Sequence, residues 1–211
     1  MINVSLKVGE IIRRDEVALE AMRGGLLNLS AYADKIHKEV ETLTKKPVKR
    51  GTIVVALARM KKELVKAPPL SPSIEISNIS IKSGLNAYTY EKTLDIERKI
   101  AMLHPFLLPL NDLFSITEGP SEITIIFADK SKDLINRHFS ITPLVMYHDA
   151  AAITVQFPEK YADVPNFLYA IFSKLATLRI NLWEVVSTHT EISFIVKKED
   201  MTKVVETFHE K

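Results

Sequence analysis

The chain has 211 residues, 46% hydrophobic and 26% charged, with no cysteine and a formal net charge of +2. That length suits one large domain or two to three small ones, and the missing cysteine excludes a disulfide framework, a thiolate nucleophile and a Cys-based zinc site. No run of eighteen apolar residues is present, so no membrane span is expected.

The charge is unevenly placed. Residues 1–67 carry 14 Lys/Arg against 8 Asp/Glu, whereas residues 68–211 carry 14 against 18. Such asymmetry points to two modules with different surroundings. The opening residues MINVSLKVGEIIRRDE place charges where a signal peptide needs its apolar run, so a cytoplasmic protein is expected.

The first predicted helix is capped by Asp15, runs through Met22 and ends at Gly24-Gly25. Ser30 can cap a second helix with Ala33, Ile36, Val40 and Leu43 on one face. A third carries Ile53, Leu57, Met60 and Leu64 at helical spacing. Three short helices sharing one seam make a small domain over residues 1–67. The proline-rich stretch 68–73 then reads as a stiff linker.

Beyond it, strands and helices alternate. A β-branched run spans 74–82, Ser83-Gly84-Leu85-Asn86 reads as a turn, and Ala87 to Lys92 as another strand. A helix from Leu94 to His104 is disturbed by Pro105. Leu113–Thr117 and Glu122–Ala128 read as strands, followed by a helix capped by Ser131. Leu144–His148 and Ala151–Phe157 read as two separate strands. Asp163 is an N-cap candidate with Pro165 in the first turn, and Leu168, Ile171, Phe172, Leu175 and Leu178 make an apolar stripe. Strands Ile180–Val186 and Glu191–Val196 and a final helix through Phe208 complete the chain.

Part of this pattern repeats at a shift of 69 residues. Leu113, Phe114 and Ile116 fall on Leu182, Trp183 and Val185. Ile123, Ile125 and Phe127 fall on Ile192, Phe194 and Val196. Each copy reads β-α-β-β-α, the skeleton of a ferredoxin-like βαββαβ unit, so the expected fold class is α+β with a duplicated domain.

The segment DVPNFLYAIFSKLATLRINLWEVVSTHTEISFIVKKEDMTKVVETFHEK resembles the C-terminal ACT domain of aspartate kinases. The resemblance rests on the Asp-x-Pro helix start at Asp163 and Pro165, the strand start Ile180-Asn181-Leu182, the strand Thr190-Glu191-Ile192-Ser193, and the ending Phe208-His209. It extends more weakly to residues 74–148. It implies two ACT units, 83–148 and 149–211, with the second completed by strand 74–82 because the first is inserted within it. No Gly-rich phosphate loop or kinase domain is recognised. ACT domains sense small molecules, usually amino acids, so the resemblance implies an amino-acid effector and a homodimer through the ACT units. Backbone N–H groups at a helix start can hold a carboxylate. The ligand-binding candidates are Asp163, Val164, Asn166 and Phe167 at the helix start, Asn181 and Leu182 opposite, and Ser187 and Thr190 around the turn. Asn166 stands where the family usually has glycine.

The helical module has two readings. Lys45, Lys46, Lys49 and Arg50 cluster before its third helix, and Arg59 and Lys62 follow along it, which suits phosphate contacts by a helix-turn-helix domain on DNA. Coupled to ACT sensors, this gives an amino-acid-responsive transcription regulator. Against it, residues 51–58 are very apolar for a groove-lying helix. The alternative is packing or dimerisation, in a free-standing regulatory subunit that binds an enzyme. The six histidines, His37, His104, His138, His148, His189 and His209, show no paired ligand spacing. No nucleophile–base set can be argued from spacing either, so neither catalytic activity, metal nor cofactor is expected.

Overall fold

The computed structural model describes residues 3–64, 71–107 and 113–209. The chain divides into two compact units, Met1–Leu70 and Ser71–Lys211.

The first unit is helical, with four helices rather than three among its described residues. They are α1 (Val4–Arg14), α2 (Glu16–Arg23), α3 (Leu29–Thr44) and α4 (Arg50–Leu64). The additional one is α1, which buries Val8, Ile11 and Ile12 against Ile36, Val40, Ile53 and Leu57. Asn28 rather than Ser30 caps α3, its side chain accepting from the Ser30 and Ala31 N–H groups at 3.1 Å. The linker residues 68–70 lie outside the described residues.

Asp15 ends α1 and begins α2. Its carboxylate accepts from Ala18 N–H at 3.0 Å, Lys35 Nζ at 3.0 Å and the Tyr32 hydroxyl at 3.2 Å, tying α2 to α3. The Ala18 N–H, then Lys35, hold the Asp15 carboxyl below the usual carboxylate range. A depressed folded value stabilises fully above the unfolded pKa of about 3.9 and is lost as pH falls through the folded value. Asp15→Ala should therefore cost about 1–2 kcal/mol at pH 7 and show a smaller penalty at pH 3, read by urea unfolding at both.

The second unit is built on one antiparallel sheet of order β2-β3-β1-β4-β6-β5. Its strands are β1 (Asn78–Glu91), β2 (Phe114–Glu118), β3 (Glu122–Ala128), β4 (Val145–Gln156), β5 (Leu182–Ser187) and β6 (Glu191–Lys197). The helices are α5 (Leu94–Leu107), α6 (Lys132–His138), α7 (Phe167–Ala176) and α8 (Met201–His209). Pro105 lies inside α5 rather than ending it. So close to the C-terminal end, its missing N–H disturbs only the last turn.

One expected turn and one expected break between strands are absent. The stretch at Ser83–Asn86 does not reverse the chain; β1 runs straight through it, with register shifts between Ser83 and Leu85 and between Leu85 and Ala87. The expected pair of strands around Asp149 is likewise one strand, β4. Gly84 and Asp149 have φ of +71° and +53°. These are bulge-like kinks that bend a strand without ending it.

The long strands are shared between the two βαββα segments. Asn78–Ser83 pairs with Ala151–Gln156, and Ala150–Gln156 pairs in turn with β6. Leu85–Glu91 pairs with β3. Thus the start of β1 joins the sheet of the second segment, and Ile74, Ile76 and Ile79 pack on that segment's core of Ile153, Ile171, Phe194 and Phe208. The first segment has its own core of Tyr88, Tyr90, Ile125 and Phe127. On the opposite face of the sheet, Leu85, Ala87, Ala150, Ala152, Ile126 and Ile195 form a third cluster.

Candidate functional site

Between β1 and α5 the chain has two residues, Lys92 and Thr93; between β4 and α7 it has ten, Phe157–Asn166. That longer connection is pinned at each step. Phe157 N–H donates to Thr190 O at 3.0 Å, Ala162 N–H to Glu159 O at 2.9 Å, and Val164 N–H to Tyr161 O at 3.1 Å. Three aromatic rings pack inside it, with Phe167 4.5 Å from Phe157 and 5.0 Å from Tyr161 between centroids. The opposite wall is the β5–β6 turn, closed by Thr188 N–H donating to Glu191 O at 2.9 Å. His189 Nε2 lies 3.4 Å from Glu159 Oε1, linking the two walls.

A cleft of about 450 Å³ lies between these walls. That volume is in the range of small-molecule sites. Of the residues expected to bind a ligand, it brings together Val164, Asn166, Phe167 and Ser187. Asp163 is exposed and does not line it. Nor is Asp163 the cap of α7: that position belongs to Asn166, three residues later, because Glu159–Tyr161 forms a 3-10 turn and delays the helix. Thr190 offers its carbonyl to Phe157 instead of the cleft. Asn181 and Leu182 stand at the other end of β5, since Leu182 pairs with Val196 while Ser187 pairs with Ile192. Five strand rises separate Leu182 from Ser187, roughly 16 Å.

Asn166 has φ +65° and its side chain makes no capping hydrogen bond. This left-handed conformation is one that glycine adopts freely and asparagine tolerates best among the other residues. The amide stands exposed at the helix start and caps nothing. Seven cleft residues were not among the ligand-binding candidates: Phe157, Tyr161, Ala162, Leu168, Thr188, His189 and Ile192.

In the helical unit, Arg50 is engaged with α3. Its Nε and Nη2 donate to Asp34 at 2.5 and 2.8 Å, and Nη2 also to Ser30 O at 3.3 Å. Lys45 occupies the left-handed C-cap of α3. Lys49 and Arg59 flank a second cleft of about 560 Å³ with Ser5, Gly51, Thr52 and Val55. Lys45, Lys46, Lys49, Arg59 and Lys62 are exposed. Among the described residues, no three His, Asp or Glu side chains converge as a metal site. No described helix is long and apolar enough to cross a membrane.

Residues 145–210 match the family model of the ACT domain. The matched segment begins with β4 and contains the whole aromatic cleft. Solved structures of similar fold include the aspartate kinase of Clostridium acetobutylicum, at 15% identity and TM-score 0.52, covering 65% of this chain and 35% of that one. The ligand-free regulatory subunit of aspartate kinase from Thermus thermophilus is similar at 13% identity and TM-score 0.52, covering 64% of this chain and 96% of that one. Its counterpart from Thermus flavus gives 12% and 0.52, covering 64% and 97%. The chain therefore spans about a third of the Clostridium enzyme and nearly all of the Thermus subunits. At these identities the likeness is one of fold. No curated protein matches the chain.

Proposed function

We propose that the chain is an amino-acid-sensing regulatory protein, not an enzyme, that takes its effector at the cleft before α7. The observation that carries this reading is Asn166, whose exposed amide sits at a helix start on the rim of a cleft of small-molecule size. A zwitterion presents an acceptor and a donor together, and an amide answers both. Helix N–H groups add a partial positive charge for the carboxylate. Val164, Phe167 and Ser187 complete the site within one chain. Asn181 and Leu182, at the start of the edge strand β5, would contribute from a second copy in a homodimer. We place the two ACT units at 83–148 and 149–211, the latter completed by 74–82, after a helical domain over 1–67 and a linker over 68–73. The protein works in the cytoplasm.

A second reading concerns the helical unit. Lys49, Arg59 and Lys62 are exposed on or beside α4, and among the described residues none has an ion-pair partner. Free cations with Thr52 between them suit phosphate contacts, so effector-dependent DNA binding is the use we propose for it. Arg50, held by Asp34, would serve to orient α4 rather than to bind. If DNA binding is absent, a regulatory subunit for an enzyme is the remaining use.

The test is a thermal-shift screen with the twenty amino acids beside a salt titration of DNA binding. Effector at a hundred times its Kd should raise the melting point by roughly 5–10 °C. Asn166→Gly keeps the left-handed backbone without strain and deletes the amide, so the protein should stay folded and the shift should shrink. A full shift in that variant would place the site elsewhere.

A further inference from the structure

The ends of an amino acid are common to all of them, so the rest of the cleft decides which one is held. Its floor is made by Phe157, Tyr161 and Phe167, each at most 9% exposed, with Ile192 beside them. Val164 and Leu168 stand higher on the same walls. Besides the Tyr161 hydroxyl, the polar side chains are Asn166, Ser187, Thr188 and His189, and no Asp, Glu, Lys or Arg lines the cleft. The Glu159 carboxylate, outside the lining, faces His189.

We infer that the effector carries an uncharged, apolar side chain; this rests on reading the cleft as the amino-acid site. A charged side chain placed on that floor would give up water and gain no counter-charge. An apolar one exchanges water for ring edges and methyl groups, which is favourable in itself. The division of the lining matches the division of such a ligand. The zwitterionic end meets Asn166 and the start of α7, and the side chain meets the aromatic floor.

Calorimetric titration of the full chain with leucine, isoleucine, valine, methionine, phenylalanine and tryptophan, against lysine, arginine, aspartate, glutamate, serine and threonine, tests this. One of the apolar set should bind at least tenfold more tightly than every member of the polar set, with a negative heat-capacity change. Leu168→Glu is the informative variant. Leu168 is 54% exposed in the first turn of α7, where an acidic residue is favoured, so the fold is kept. The variant should weaken the apolar effector tenfold or more. If the tightest ligand is charged or hydroxylated and Asn166→Gly still weakens it, the site reading stands and this inference falls. If no amino acid binds, both fall. An apolar ligand untouched by both variants binds elsewhere and also overturns the inference.

Discussion

A fragment of residues 145–211, which contains the whole segment matched by the ACT family model, should fail to melt cooperatively. The reason lies in the sheet. Within the fragment β4 pairs with β6 on one side, but its other side is covered by Asn78–Ser83, which the fragment lacks. Removing that strand leaves backbone donors and acceptors of a core strand unpaired at an apolar edge. It also strips Ile74, Ile76 and Ile79 from the core. These are half-buried side chains, each contributing on the order of 1 kcal/mol. Against a total stability of about 5–15 kcal/mol for a whole domain, the combined loss is decisive for so small a piece. Restoring the strand should restore the fold. Ser83 pairs with Ala151, so residues 71–83 joined to 150–211 by a short Gly/Ser bridge would close as a hairpin. That chain should show a cooperative transition by circular dichroism. A cooperative melt of 145–211 alone would refute the structural dependence.

The strand itself was legible in the sequence, because Ile74, Ile76, Ile79 and Ile81 make a β-branched run, and Ile79 and Ile81 lie in β1. The punctuation was less legible. Ser83-Gly84 looks like a turn because glycine marks chain reversals, yet the same left-handed geometry serves a bulge there and at Asp149. Only the pairing partner on each side distinguishes the two. Helix α1 escaped because Asp15 looks like a first cap; it is also the C-cap of the preceding helix. Half of the cleft followed from the helix start, since Pro165 and the stripe after it announce α7. Of the other wall, only Ser187 followed. Thr188 and His189 belong to a short turn, and nothing in their own neighbourhood says that Phe157 and Tyr161 will face them. Asn181 and Leu182 show the converse: close in sequence to Ser187, they are carried away by the length of β5.

Phe194→Ala should lower the stability of both halves of the sheet, although Phe194 belongs to one. Its side chain is fully buried, 5.9 Å from Phe172 edge to face and 5.8 Å from Phe208 in a stack. Truncating a phenylalanine so placed costs about 3–5 kcal/mol, because the ring contacts are lost and the surrounding rings close only partly over the gap. In two tandem domains the loss would stay in the mutated one. Here Phe194 pairs with Ile153 of β4, Ile153 pairs with Ile81 of β1, and β1 continues without a break to Tyr88 and Tyr90 in the other core. Neither half can lose its fold while its partner keeps two intact long strands. Hydrogen exchange reads this directly, since amides that open only with the whole unit report its global stability. The amides of Ile125 and Phe127 in β3 should lose protection by the same factor as those of β6, roughly two to nearly four powers of ten. Unchanged protection in β3, with loss confined to β6 and β5, would mean that the shared strands transmit no stability and that the halves unfold as separate bodies.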